Sequence, residues 1–503
     1  MLTSKQKNRI GLSYVIDLIE PASPYGKEAL RELKPYMPGE EKLLNQKLEN
    51  ISKISTAMPG VLPPIIKLEQ IFSQVKNIRA SIEKIGEQLS EIDLFEIKRY
   101  LIQLEQMLPI YSELYDCTCV EGFNFEGTDK ALELIDPEDN RVATFHISGK
   151  NFPVLSEIRK EKKAVEQRLR ELQSGLPETK QTELTVKHDK LRAERMELAA
   201  REQREEQKAM LWFSDKLNPY KDAMLKNTDE IAKLDLTIQK AKLAARYKAC
   251  LPATTSLPTQ TISTISFINM TNPQLDRVLS ENGETFTPLT IELAKGTTVI
   301  TGANMGGKSV ALKTLALNVM LVQYGFFPFA ESAVCPLIDR IYLVSDDLEA
   351  TDRGLSSFGG EIVKLQEILD NLGNKQTLIL LDEFARGTNP AEGGTIARAV
   401  CSYLNKQESM TVMTTHYEGV APLAKAHYQV AGLRKMEQAK KLPNEIRSIP
   451  VSERVKQIAS YMDYGLLKVT PDRKLPEDAI NICKMLGLSE EIMSLMGVSY
   501  EIF

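Results

Sequence analysis

Histidine and cysteine are scarce in this 503-residue chain, with four of the first and six of the second. So few cysteines in so long a chain exclude a disulfide-stapled secreted fold and point to a reduced compartment. Cys117-x-Cys119 is the only close pair, and no histidines stand at ligand spacing beside it, so no zinc site is expected. No apolar run reaches the roughly 18 residues of a membrane span, and Met1–Ile10 does not read as a secretory leader. A cytoplasmic protein with no membrane contact is the expectation. An excess of one charge is missing too: 63 Lys+Arg against 68 Asp+Glu leave −5. Bulk charge therefore does not hold the chain to nucleic acid, and any such binding must be local. No period of about 20–50 residues recurs, which excludes solenoids. What is present, 43% hydrophobic residues, suffices for several cores and roughly three domains.

The chain reads in blocks. Over 1–150 the apolar residues fall mostly at helical spacing (Ile51, Ile54, Met58; Ile78, Ile82, Ile85), broken by Pro59-Gly60 and Pro63-Pro64, which predicts a packed helical core. Near its end Val142-Ala143-Thr144-Phe145 follows a turn-rich stretch, the pattern of a short hairpin. Residues 151–250 are dense in charge around a thin apolar stripe (Leu169, Leu198, Met210, Leu217, Met224). They hold 22 Lys+Arg and 17 Asp+Glu, so an excess of +5 sits here and −10 on the rest. Long solvated helices follow from that pattern, interrupted near Ser174-Gly175-Leu176-Pro177 and Asn218-Pro219. They form either an arm or a plain coiled-coil spacer. Over 251–440 strands alternate with helices, an α/β signature in which Gly296–Thr301, Gln376–Leu381 and Ser409–Thr414 are buried parallel strands with chemistry at their carboxyl ends. Residues 441–503 form a terminal helical part.

The first of those strands runs into Gly302-Ala303-Asn304-Met305-Gly306-Gly307-Lys308-Ser309, followed by an apolar helix from Val310. This fits the phosphate-loop pattern. Glycines let backbone N–H groups curl round the β- and γ-phosphates of ATP, the helix dipole assists, Lys308 neutralises γ-phosphate charge, and the Ser309 hydroxyl is a ligand for Mg²⁺. The second strand ends at Asp382-Glu383. Asp382 is the expected second hold on magnesium, and Glu383 the group that orients or deprotonates the attacking water. The third ends at Thr414-Thr415-His416, which sets an imidazole near the same sheet edge. Ahead of the second strand, Gly354-Leu355-Ser356-Ser357-Phe358-Gly359-Gly360-Glu361 opens a helix, with Ser356 or Ser357 as N-cap and a capping acid at Glu361 or nearby.

Thr301 to Ser309, Asp382-Glu383-Phe384-Ala385-Arg386-Gly387-Thr388-Asn389 and Thr414-Thr415-His416-Tyr417 together closely resemble the three ATPase motifs of the MutS family. The resemblance implies a P-loop ATPase of the ABC/MutS type behind a helical core and a lever ending in a reduced clamp. It also implies a homodimer, or a heterodimer with a related MutS-like subunit, in which Ser356 contacts the γ-phosphate held by the partner. Phe286 matches the family's adenine-stacking aromatic, and Tyr464 to Met496 its closing and dimerising elements. Ala303 and Val310 stand where the family usually has proline and threonine, and neither exchange removes a phosphate contact. The expected family member lacks the amino-terminal mismatch-reading domains and an endonuclease-like tail. Two functions follow: an ATP-gated clamp on double-stranded DNA, of the mismatch repair and recombination family, or an ATP-dependent factor that remodels a protein client, such as a reactivase of a cobalamin-dependent lysine aminomutase.

Overall fold

In the computed structural model helices fill the first half of the chain and a mixed sheet organises the second. The structure describes residues 2–142, 144–174, 181–254, 264–302, 307–345, 357–373, 375–432, 450, 462–470, 482–483 and 486–496. The helices of the first half are α1 (Ser4–Ile10), α2 (Leu12–Asp17), α3 (Pro24–Arg31), α4 (Glu41–Gln74), α5 (Arg79–Glu83), α6 (Glu91–Thr118), α7 (Asp129–Ile135), α8 (Pro153–Ser174), α9 (Gln181–Leu217) and α10 (Lys221–Tyr247). Then come β1 (Thr264–Met270), α11 (Pro273–Glu281), β2 (Leu289–Ala294), β3 (Gly296–Thr301), α12 (Lys308–Gln323), β4 (Ser332–Val334), β5 (Arg340–Val344), α13 (Ser357–Asp370), β6 (Thr377–Leu381), α14 (Pro390–Leu404), β7 (Met410–Thr414), β8 (Ala426–Gly432) and β9 (Asp463–Lys468). No helix among the described residues is long and apolar enough to cross a membrane.

The chain divides into two compact units. One is residues 1–19, 33–56 and 240–503; the other is 20–32 and 57–239. The block expected over 1–150 is thus shared between them.

In the helical unit α6 buries Leu94, Ile97, Tyr100, Leu101, Leu104 and Met107, spaced at threes and fours. Its start is a capping box: Ser90 Oγ accepts from Asp93 N–H while Asp93 accepts from Ser90 N–H. A second buried anchor is Asp235, whose carboxylate accepts from Ala22 N–H (3.1 Å), Ser23 N–H (2.7 Å) and Ser23 Oγ–H (2.6 Å). Burial pushes that carboxyl above its usual range even against those three donors. Two local expectations are corrected here. The prolines at 59, 63 and 64 do not break the chain, since α4 runs unbroken through all three. Val61, Ile65, Leu68 and Phe72, buried along one face, hold it helical where propensity alone would end it. Nor does a hairpin form: no strand occurs among the described residues of 116–149. Backbone polar groups here pair locally or with side chains instead: Thr144 N–H donates to Val142 O (2.8 Å), Thr144 O accepts from Lys98 Nζ (3.0 Å), and Arg141 N–H donates to Asp136 (2.8 Å).

The charged hairpin of α8 and α9 follows the predicted stripe. Ile158, Val165, Leu169 and Leu198 form a small core of their own, with Leu191 packed against it. Around it Arg159 pairs with Glu202 (3.2 Å) and Glu206 (2.9 Å), Arg195 with Glu166 (2.8 Å), and Lys162 with Glu202. The break at Asn218-Pro219 is a single turn of 3₁₀ helix.

In the other unit the main sheet has the order β5-β6-β7-β3-β8-β9, parallel throughout except for β8 against β9. A three-stranded antiparallel sheet, β2-β1-β4, accompanies it. The predicted strands stand at β3, β6 and β7, and β6 and β7 are buried at every position, as apolar runs in a parallel sheet require. Helix α12 is buried on nearly all sides. Its far end is held by Lys240, whose Nζ donates to Tyr324 O (2.9 Å) and Gly325 O (3.0 Å) and stands 4.1 Å from the Phe326 ring centre. Burial, with Lys47 adding repulsion, pushes that ammonium down to about 7. Residues 1–19 join this unit through Gln6, which donates to Leu343 O at the end of β5 (2.8 Å), and Lys7, which donates to Tyr324 Oη (2.9 Å).

Candidate active site

Strand β3 delivers Gly302 (φ 135°) and Gly307 (φ 87°), both in backbone regions that L side chains avoid. Gly307 sits immediately before α12 and faces the Tyr464 ring, which a Cβ there would meet at 3.2 Å. The first residue of α12, Lys308, is buried. Its Nζ donates to Gly302 O (2.8 Å) and lies 3.4 Å from Glu383 Oε1. The next residue, Ser309, donates from Oγ to Asp382 Oδ1 (3.0 Å).

From the neighbouring strand ends come the acids. Asp382 follows β6 and accepts a second hydroxyl, from Thr414 at the end of β7 (2.8 Å). Thr414 Oγ1 also accepts the Glu383 N–H (2.8 Å), so one threonine hydroxyl fixes both acids. Burial raises the Asp382 carboxyl above its usual range, Glu383 adds to this, and the Ser309 and Thr414 hydroxyls oppose it. Glu383 itself has φ 47°, and Ala385 has φ 66°. Left-handed geometry at such residues costs about 1–3 kcal/mol each and persists where the surroundings over-determine it. The Glu383 carboxylate is shared between Lys308 and Arg386, whose guanidinium donates to Oε2 (2.6 Å).

Beside these groups lies a cavity of about 330 Å³. Gly307, Lys308, Ser309, Val310 and Glu383 line it, together with Leu279, Phe286, Thr287, Leu289 and Tyr464. One set thus joins the Lys308–Glu383 pair to a helix start with its backbone donors, and the other is mostly apolar and aromatic. That division suits an anionic group attached to a flat apolar one.

Of the predicted site residues the structure brings together Lys308, Ser309, Val310, Gly307, Asp382, Glu383 and Phe286, with Gly302 behind Lys308. His416 is exposed and packs against Tyr417 (ring centres 4.4 Å apart, planes tilted by 38°), and it is not among the residues that line the cavity. Ala303, Asn304, Met305, Gly306 and Ser356 lie outside the described residues. Two participants escape a reading by motif. Thr414 belongs to the right segment, but its hydroxyl is a less conspicuous signal than the histidine two positions on. Tyr464 comes from β9, over 150 residues beyond the phosphate-loop pattern, and only the antiparallel pairing of β9 on β8 shows that it reaches Gly307.

Residues 298–487, which contain this cavity's charged groups, match the family model MutS domain V. Similar proteins include one named endonuclease MutS2 from Caldanaerobacter subterraneus subsp. tengcongensis, 24% identical over 469 residues, covering 83% of this chain and 55% of the relative. A protein of the same name from Listeria monocytogenes serotype 4a is 25% identical over 484 residues, covering 86% and 56%. One from Geobacillus sp. WCH70 is 31% identical over 224 residues, 44% of this chain and 27% of that one. The likeness to the MutS family thus rests on that domain match and on relatives whose similarity runs along most of this chain. The chain spans about half the length of the longest-matching curated relatives.

Proposed function

We propose that this chain is an ATPase that binds ATP in the cavity beside Lys308, on a P-loop fold of the ABC/MutS type, and works as a dimer on double-stranded DNA. The observation that carries this reading is the convergence of Lys308, Ser309, Asp382 and Glu383, from two separate strand ends, on one cavity. The donor set also fits Mg²⁺. A hydroxyl and a carboxylate oxygen, both hard ligands, meet at Ser309 and Asp382, and a divalent cation would offset the burial that raises the Asp382 carboxyl. When bound, the ion neutralises charge on the β- and γ-phosphates.

The chain's own groups do the rest. Lys308 sets an ammonium against the γ-phosphate, and the first N–H groups of α12, with the loop from Gly302 through Ala303, Asn304, Met305, Gly306 and Gly307, cradle the phosphates. Glu383 accepts the proton of the attacking water, and Lys308, 3.4 Å from Oε1, directs that carboxylate. Phe286 and Tyr464 offer ring faces to the base. Ser356 of a second copy and His416 complete the pocket when two such units face each other. Support for DNA comes from the name the relatives carry and from the +5 held by residues 151–250. No observation favours a protein client over DNA.

The test is Mg²⁺-dependent ATP hydrolysis by the purified chain, with and without duplex DNA, at about 50 and 200 mM salt. Turnover that responds to DNA at the lower salt and not at the higher is expected. Failure to bind ATP overturns the reading, whereas turnover indifferent to DNA at both salts removes the DNA partner alone.

A further inference from the structure

We propose that Glu361 and Tyr417 are positioning residues that grip the peptide groups of Ala385 from both sides and thereby fix where the Glu383 carboxylate stands. The proposal rests on the reading of Glu383 given above. Immediately after β6 the backbone enters the left-handed region twice in three residues, at Glu383 (φ 47°) and Ala385 (φ 66°), neither of them glycine. L-residues resist that geometry, so something outside the turn must hold it. The turn's own bond, Arg386 N–H to Glu383 O, is long at 3.2 Å.

Three other segments converge on Ala385. From α13, the buried carboxylate of Glu361 accepts the Ala385 N–H at 2.7 Å. From the segment after β7, Tyr417 Oη donates to the Ala385 carbonyl at 2.8 Å. From α14, Gly393 presents no side chain: a Cβ there would stand 2.7 Å from Ala385 O and run into Tyr417 Oη. Ala385 itself has no chemistry to offer, and is fully buried among Phe384, Ile368 and Leu365. A charged acceptor spent on its N–H in so apolar a setting makes a strong, directional bond.

Ala385 is two residues from Glu383, whose carboxylate reaches both Lys308 and Arg386. Rotation of the peptides between them would carry that carboxylate away from the cavity. Glu361 lies one turn into α13, which begins at Ser357. A displacement of α13 therefore reaches Glu383 through one hydrogen bond and two residues of backbone.

Two readouts on the full chain test this, using Glu361→Ala, Glu361→Gln and Tyr417→Phe. For ATP hydrolysis, Glu361→Ala lowers kcat by about tenfold to a hundredfold, the effect of misplacing a catalytic group. Affinity for a non-hydrolysable ATP analogue stays within about threefold, because ground-state binding is untouched. Glu361→Gln, which keeps an acceptor oxygen for the Ala385 N–H, restores most of the rate, and Tyr417→Phe falls between. The second readout needs no activity: amide hydrogen exchange of a peptide covering 382–389 is slow in the parent and faster in Glu361→Ala and Tyr417→Phe. Unchanged exchange in both variants overturns the clamp, as does a kcat that matches the parent while exchange rises. If the parent protein itself hydrolyses no ATP, it is the ATPase reading that falls, and the exchange result still decides whether Ala385 is gripped.

Discussion

The sheet that carries the candidate site and the α8–α9 hairpin are built on opposite principles. Strand β6 is buried at all five positions between two parallel neighbours, and the turn at its carboxyl end is pinned by hydrogen bonds from Thr414, Glu361 and Tyr417. The hairpin has four buried side chains in its own core and is edged instead by ion pairs from Arg159, Lys162, Arg195 and Glu202. Dense packing fixes geometry and tolerates little change, which a site for charge-directed chemistry needs. Charge pairing at a surface fixes little and weakens with salt, so the hairpin's geometry is less tightly specified than that of the sheet. Much of the hairpin's positive charge is also spent on its own acids.

The largest expected effect tests the site end of this contrast. Lys308→Ala should weaken ATP binding by about three to four powers of ten, the cost of leaving a desolvated charge unpaired, with an unchanged circular dichroism spectrum. An isothermal titration that still shows parental affinity would break the comparison at its root. Next comes packing. Ile379→Ala in β6 should cost about 3–5 kcal/mol in denaturant unfolding, whereas Leu198→Ala in the hairpin, where the surroundings can close in, should cost about 2 kcal/mol or less. Equal costs would mean that the hairpin is as tightly specified as the sheet.

A pH series separates the two regions further. Lys240 is held below its unfolded value by burial, so between about pH 7 and pH 10 the unfolded chain binds the extra proton. Stability of the sheet unit should therefore rise with pH across that window, by at most about 1.4 kcal/mol per unit, and the rise should vanish in Lys240→Met. Melting curves at pH 7, 8 and 9 check the sign. The smallest effect belongs to the hairpin: Glu202→Ala should cost about 1 kcal/mol or less, and raising the salt should reproduce part of it in the parent. A salt-independent loss would move Glu202 from pairing to packing.

Strands β3, β6 and β7 are legible in the sequence because short runs of apolar and β-branched residues such as Leu378–Leu381, too short for a helix and bounded by polar turns, suit a strand buried on both faces. The phosphate-loop pattern is legible for a similar reason, since few arrangements other than a turn into a helix use that many glycines beside a lysine. Helix α4 is not, because the prolines that argue against it are local and the burial of Val61, Ile65, Leu68 and Phe72 that overrides them is tertiary. The same limit hides Gln6, whose partner lies at Leu343, and Tyr464, whose place depends on which edge of the sheet β9 joins. Spacing alone makes Glu361 a capping acid, and its bond to Ala385 depends on a turn whose shape no spacing encodes.

The enclosed amine of Lys240 has one more use. Reagents that acylate lysine need an uncharged nitrogen and room to approach it; here the first is nearly granted at neutral pH and the second is withheld by the fold. Each modified Lys240 in a sample would therefore mark a molecule that had opened, so slow labelling followed by peptide mapping would time the breathing of this half of the chain without any added probe.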